Sequence, residues 1–243
     1  MTEADAVVAK TLAAHGGIEF WQSLTAIDAV LSAGGFLFTT KHVRPLRRVR
    51  VRASTVEPRF TFFDWPQPGQ RGEWFGENEV RIVGADDVIV SRRQQPRAAF
   101  RGLRRQLWWD ELDLLYFAGY ATWNYLTTPF VFLRPGFGFE SLPPRDGATR
   151  IAASFPAEVP SHCRRQIFHF APGGELLRLD YTAEVVGSWA RAAHLCADYR
   201  DFAGLRAPTK RRVRPLFHLG NPLPLPTLVA IDVHELWPVP AVR

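Results

Sequence analysis

Cysteine is nearly absent: Cys163 and Cys196 are the only two, and no CxxC pair exists. That excludes a zinc ribbon and a disulfide-stapled small domain, and leaves open a single bridge between the two. The histidines His15, His42, His162, His169, His194, His218 and His234 are scattered, with no HExxH and no pair at i, i+4. No metal is expected from such a set. There is no GxSxG elbow, no P-loop, and no GxGxxG opening a helix after a strand; Gly136-Phe-Gly138 sits in a proline-flanked loop. The common hydrolase, kinase and dehydrogenase readings lose their footing, and no cofactor is expected. Long apolar runs are missing too, because Arg or an acid interrupts each one. The opening MTEADAVVAKTLAAHGG has early acids and no basic leader before an apolar run, so the expectation is a cytoplasmic protein. Without repeats, low-complexity tracts or linkers, residues 1–243 read as one domain.

What is present is apolar and aromatic. Across 243 residues, 47% hydrophobic and 13% aromatic content is enough for a sizeable core and excludes a disordered chain. Nineteen prolines and eighteen glycines imply many turns, which suits β structure better than a helical bundle. The net charge is +6 and Arg far outnumbers Lys. That balance suits a polyanion partner, and it equally suits a GC-rich coding sequence. Three basic stretches stand out: Arg44, Arg47, Arg48, Arg50 and Arg52; Arg92 to Arg105; and Lys210, Arg211, Arg212 and Arg214. No nucleic-acid reading motif accompanies them, so no specific nucleic acid is expected. Alternating Arg on a strand reads as a solvated outer sheet face, and functionally as a contact for anionic lipid head groups.

Residues 3 to 14 have a helical apolar stripe, with Thr2 as cap and His15-Gly16-Gly17 as stop, and Ile18 to Leu24 adds a further turn or two. From Thr25 the period changes to two. Strands are expected around Ile27–Ala33 (continuing through Phe36-Leu-Phe38 after a bend or a tight hairpin at Gly34-Gly35), Arg48–Arg52, Phe60–Asp64, Val80–Val83 and Val88–Ser91. About six strands recur after a long irregular connection, RPGFGFESLPPRDGA: 150–155, 164–170, 176–185, 190–202, 207–213 and 227–233. Short connections mean antiparallel pairing.

Between the two sets lies a helical insert, about residues 96–132. Its aromatic part runs WWDELDLLYFAGYATWNYLTTPFVF from Trp108 to Phe132. Asp110, Glu111 and Asp113 suit the start of a helix, and Thr128 before Pro129 ends it. Leu112, Leu115, Tyr116, Gly119, Trp123 and Leu126 share one side, and the other side is apolar as well. A helix apolar nearly all round is buried. One antiparallel sheet curling around this insert as a plug accounts for the order of elements, which makes the fold mainly β (α+β).

The polar set with chemical potential lies on the late hairpin. Centring it on Gly187-Ser188 puts Glu184 opposite Arg191 and Tyr181 opposite His194, on one face. With Asp110 from the helix, Tyr181 and His194 are the candidates for an acid–base site. The plainer alternative is a cross-strand ion pair beside a core histidine.

The start, TLAAHGGIEFWQSLTAIDAVLSAGG, and the end, CADYRDFAGLRAPTKRRV followed by TLVAIDVHEL, resemble the opening and closing segments of LolA-like and LppX-like proteins. The middle, with WNYLTTPF and DYTAEVVGSWARAAH, is most similar to a group of uncharacterised bacterial proteins. The resemblance implies a half-barrel: a strongly curved antiparallel sheet with an N-terminal helix and a central helical plug on its concave face. It further implies a hydrophobic or amphipathic small molecule or lipid bound in the hollow. The lining residues would be Tyr116, Tyr120, Trp123, Phe38, Phe62 and Phe168. Two other readings stay open: a cofactor-independent isomerase, cyclase or hydrolase on an apolar substrate, and an interaction protein without a ligand.

Overall fold

The computed structural model describes residues 2–102, 106–217 and 220–241. His218 and the Arg104–Arg105 end of the second basic stretch lie outside the described residues. Thirteen strands form a single antiparallel sheet, and the sheet consists of two meanders. The first runs β1 (Leu24–Gly34), β2 (Leu46–Ser54), β3 (Arg59–Phe63), β4 (Arg71–Phe75), β5 (Glu79–Val83) and β6 (Ile89–Gln94). The second runs β7 (Gly138–Arg145), β8 (Ala148–Ser154), β9 (Arg165–Phe170), β10 (Leu176–Thr182), β11 (Arg191–Phe202), β12 (Leu205–Pro215) and β13 (Val229–Pro240). Pairing of β1 with β13 joins them at the middle, so β6 and β7 are the two outer edges. These edges are consecutive in the chain. The segment between them has to travel from one edge of the sheet to the other, and it does so through the hollow.

Its main element is helix α4 (Glu111–Thr127), labelled after α1 (Glu3–Ala14), α2 (Ile18–Gln22) and α3 (Phe36–Thr40). Short 3-10 turns, η1 (Pro96–Phe100) and η2 (Phe130–Leu133), flank it. Asp110 caps α4 by accepting the Asp113 N–H, while the Asp113 carboxylate accepts the Asp110 N–H, a capping box. Every residue of α4 from Asp113 to Thr127 is buried. The inward rows of the first meander, Ile27-Ala53-Phe60-Trp74-Val80 and Ala29-Val51-Phe62-Gly72-Ile82, mix large rings with very small residues. The small positions are notches. A Cβ on Gly72 would stand 2.6 Å from the Trp65 ring, and one on Gly119 would stand 3.0 Å from Cβ and Cγ of Trp74. The plug therefore seats with its backbone almost touching the Trp74 side chain.

Three sequence expectations are corrected. Phe36–Phe38 does not continue the strand but opens α3, because its first N–H groups find acceptors elsewhere: Phe36 donates to the Thr227 carbonyl and Leu37 to that of Leu228. Phe38 is consequently a buried helical residue and not an inward strand aromatic. The segment after Phe132 is not wholly irregular, since Gly138–Arg145 is an edge strand whose prolines sit at a register shift against β8. The late hairpin pairs Tyr181 with Ala192, Thr182 with Arg191 and Leu179 with His194. Tyr181 and His194 share the inward face, displaced by two residues, and Glu184 lies beyond the strand end.

The outer face carries charge in cross-strand ladders. Asp28 takes Arg52 at 2.6 Å and Arg50 at 3.1 Å, Arg48 pairs with Glu235, and Glu73 takes Arg81 at 2.7 Å. Arg48, Arg50 and Arg52 are thus outward but largely matched by carboxylates.

Gly119→Val tests the seating of the plug. It should destabilise the protein by about 1–3 kcal/mol through overpacking against Trp74. Urea unfolding measures this, and an unchanged midpoint would mean that the helix does not sit where its small residue places it.

Candidate functional site

Helix α4 lies nearest β2–β6 and reaches the second meander through long side chains. This far side holds the unusual chemistry. Tyr120 and Tyr125 are five residues apart on α4, and both hydroxyls meet His162, from the connection between β8 and β9. Tyr120 Oη is 2.9 Å from Nδ1 and Tyr125 Oη is 2.7 Å from Nε2. The Tyr125 hydroxyl continues to the Tyr181 hydroxyl at 3.0 Å, and the Tyr181 ring stacks on His162 with centroids 3.9 Å apart. Burial, with the Arg97 charge adding to it, pushes His162 down to about 3, so the ring is neutral near pH 7. A neutral imidazole donates from one nitrogen and accepts at the other. The row Tyr120–His162–Tyr125–Tyr181 is therefore a polarised hydrogen-bond chain inside an apolar hollow.

Two further groups complete the cluster. His194 on β11 packs edge-on to Tyr125 with ring centroids 4.2 Å apart. It is fully buried, and neither ring nitrogen has a hydrogen-bond partner among the described residues. Burial and the nearby Arg211 charge hold it well below the ordinary imidazole range. Arg211 on β12 was expected on the outer face with its basic neighbours. It faces inward and is 4% exposed. Strand alternation explains this: Arg212 and Arg214 point out, while Arg211 and Val213 point in. The Arg211 guanidinium donates to the Tyr125 carbonyl at 2.7 Å and to Cys196 Sγ at 3.4 Å. That carbonyl belongs to the last turn of α4, where helix carbonyls lack internal partners and the dipole end is negative. Among the described residues Arg211 has no carboxylate partner.

The near end of the hollow opens on a polar cleft of about 550 Å³ lined by Glu77, Asn78, Gln95, Arg97 and Glu184. Tyr116 reaches its floor: the hydroxyl donates to both Glu77 oxygens, at 2.8 and 3.0 Å, and accepts from Arg97 at 3.4 Å. Burial and the Glu77 charge raise the Tyr116 phenol, so it stays protonated. Arg97 also binds Glu184 at 2.9 Å, taking the place foreseen for Arg191. At the other end of α4 is a pocket of about 250 Å³ lined by Trp21, Val56, Trp123, Phe130, Leu133 and Arg134.

The expected residues distribute as follows. Tyr181 and His194 come together around Tyr125 without touching through hydrogen bonds. Asp110 does not join them: it precedes Tyr125 by fifteen helical positions, about 22 Å along the axis. Its oxygens accept from the Asp113 N–H and from Arg93 at 2.7 and 3.1 Å. Of the expected lining residues, Trp123 borders an open pocket. Tyr116, Tyr120, Phe62 and Phe168 are fully buried in ring–ring packing, and Phe38 is buried on α3. His162, Tyr125 and Arg211 were not anticipated as site residues. The one sequence signal for them was an adjacent Ser161-His162-Cys163 that shows no periodicity. Cys163 and Cys196 are both free and buried, and burial raises both thiols.

Neither a family model nor a curated protein matches the chain. Solved structures do. A LolA superfamily protein from Nitrosomonas europaea is 10% identical with a TM-score of 0.52, over 100% of this chain and 96% of that one. A DUF1329 family protein from Desulfovibrio piger is 12% identical with a TM-score of 0.52, over 98% of this chain and 94% of that one. The fold is LolA-like: one open, curved antiparallel sheet with helices on the concave side. No helix among the described residues is long and apolar enough to cross a membrane.

The buried imidazoles give stability a pH signature. His15, His162 and His194 all have lowered values with burial as the main cause. The unfolded chain binds their protons first, so stability is complete above about 6.5 and falls as pH drops from 6.5 toward 3. Each imidazole contributes a slope of about 1.4 kcal/mol per pH unit while only its unfolded form is protonated. Denaturant unfolding at pH 7.5, 6 and 5 should show this fall, and His162→Phe should make it shallower. Equal slopes in the two proteins would remove His162 from the argument.

Proposed function

We propose that the protein binds an amphipathic small molecule or lipid with an acidic or hydrogen-bonding head, its apolar part in the hollow between α4 and the second meander. The observation that carries this is His194, a fully buried imidazole with neither nitrogen satisfied by the described residues. Leaving a buried polar group unsatisfied costs about 1–3 kcal/mol. A core built for packing alone would put Leu or Phe there. Beside it Arg211 holds a positive charge with no carboxylate partner among the described residues, its hydrogen bonds going to a carbonyl and a thiol. A ligand head that accepts from both groups would offset these costs. Tyr125 packs against both, its ring edge-on to His194 and under the Arg211 guanidinium, and its hydroxyl meets that of Tyr181.

Entry requires the plug to yield on its far side. There it is held by side chains rather than by close backbone packing, so that side can open while the Gly119–Trp74 seat stays closed. A catalytic reading ranks second. The Tyr120–His162–Tyr125–Tyr181 chain has the means to pass a proton, yet the open cleft nearest it is lined by Arg97, Glu77 and Glu184, already engaged with one another.

Native mass spectrometry of the purified protein, followed by organic extraction, should show a bound amphiphile. His194→Leu should keep or raise the stability of ligand-free protein, by up to about 3 kcal/mol, while retaining less amphiphile and binding a fluorescent fatty-acid probe more weakly. A protein that copurifies with nothing and ignores such probes would sink the reading. So would a His194→Leu variant that loses stability without losing affinity.

A further inference from the structure

The outer face of the second meander carries a groove of about 720 Å³ whose lining includes Arg145, Arg150, Arg165, Arg191 and Asp180. After β12, Leu216, Gly220 and Asn221 bound one end of it. Leu216 and Gly220 line the groove, the Gly220 carbonyl accepts from Arg178 at 2.7 Å, and Asn221 accepts from Arg145. The carboxylates nearby are largely committed. Asp180 takes both branches of Arg178, at 2.6 and 2.8 Å, and accepts from His169 at 3.0 Å. Glu140 pairs with Arg165 at 2.8 Å, and Asp146 lies 3.4 Å from Arg145. Arg150 and Arg191 have no carboxylate partner among the described residues. Arg150 donates to the Pro143 carbonyl at 3.1 Å, and its buried Nε has no acceptor. The groove thus has an excess of guanidinium groups, arranged around a concavity and not spread along a flat ladder.

Exposed aromatics stand beside it. Trp189, two residues before Arg191, is 74% exposed, and Phe217, next to Leu216, is 63% exposed. The Leu216 N–H donates to the Arg191 carbonyl at 2.9 Å, so both rings belong to the same end of the groove. Guanidinium groups match phosphate oxygens in pairs, and Trp and Phe are at home at the level of lipid head groups. The first meander lacks this combination: Arg48, Arg50 and Arg52 are matched by Glu235 and Asp28.

We propose that this groove binds the phosphate head groups of an anionic phospholipid bilayer, with Trp189 and Phe217 seated in the interface beside them. The site is on the convex face and independent of the ligand proposed for the concave hollow, so either reading can fail alone.

Vesicle cosedimentation tests it, using phosphatidylcholine vesicles with and without about one third phosphatidylglycerol. Binding is expected to the anionic vesicles only and to weaken with added salt. Arg150→Gln with Arg191→Gln should lower the partition coefficient about tenfold or more, since each basic residue near an anionic surface contributes about 1 kcal/mol. Arg191→Gln alone, at an exposed position, should lower it severalfold with no change in melting temperature, and Trp189→Ser with Phe217→Ser should also weaken binding. Arg48→Gln with Arg50→Gln should leave it unchanged. Equal affinity for both vesicle types, equal loss from the Arg48 and Arg50 changes, or stabilisation by inorganic phosphate with no vesicle binding would each overturn the proposal.

Discussion

A sheet that does not close on itself leaves two problems, an uncovered apolar concave face and two unpaired edges, and here one connection addresses the first by linking the second. Because β1 pairs with β13, the strands consecutive in sequence across the middle of the chain, β6 and β7, are pushed to opposite edges. The chain between them must cross the opening. An apolar helix crossing that opening is buried on every side, which explains why α4 has no polar face. Its composition follows from topology rather than from any requirement of chemistry, and the same topology fixes where chemistry can occur. The plug needs close backbone approach on one side, supplied by Gly119 against Trp74, and long side chains on the other, supplied by Tyr120 and Tyr125.

That asymmetry divides the hollow. Toward the first meander it is a jigsaw of the buried rings Phe60, Phe62, Trp74 and Trp123. Toward the second, hydroxyls and imidazoles replace hydrocarbon, and a buried guanidinium closes the last turn of the helix. Packing considerations would favour Leu and Phe there, since buried polar groups stabilise only when each is satisfied. Tyr120, Tyr125, Tyr181 and His162 satisfy one another. His194 does not: neither ring nitrogen has a hydrogen-bond partner among the described residues, and Trp74 Nε1 and Asn124 Oδ1 of the same core are likewise unpaired.

Much of the fold was legible in the sequence because it rests on strong local signals. The period-two rows, the Asp110 cap and the Thr128-Pro129 stop are each written within a few residues of where they act. What escaped notice depends on distant partners. Phe36–Thr40 is helical because the backbone at Thr227 and Leu228 takes up its first N–H groups, and nothing between Gly34 and Lys41 shows that. The edge strand β7 is masked by its prolines, tolerated because an edge needs only one ladder. The hairpin register slipped by two residues because the hairpin centres on Val186-Gly187, one residue before Gly187-Ser188; the face assignment survived, since a shift of two preserves the pleat. At the site, Tyr181 and His194 were correctly placed on one face, but their neighbour Tyr125 came from the plug and His162 from a loop. Neither proximity has a sequence period.

Arg211 shows how far alternation alone can be taken. In the string Lys210-Arg211-Arg212-Val213-Arg214 charge is nearly uniform, and composition treats it as one basic patch. The pleat does not. It sends one guanidinium into the hollow to meet the end of α4 and the others to the convex surface, where Arg212 finds Asp232 at 2.7 Å. A single basic strand therefore serves two surfaces with different solvents. On the outside each charge is hydrated and screened, so its worth depends on how many neighbours share its sign within a Debye length. On the inside one charge in an apolar setting outweighs several outside, because burial removes the water that would screen it.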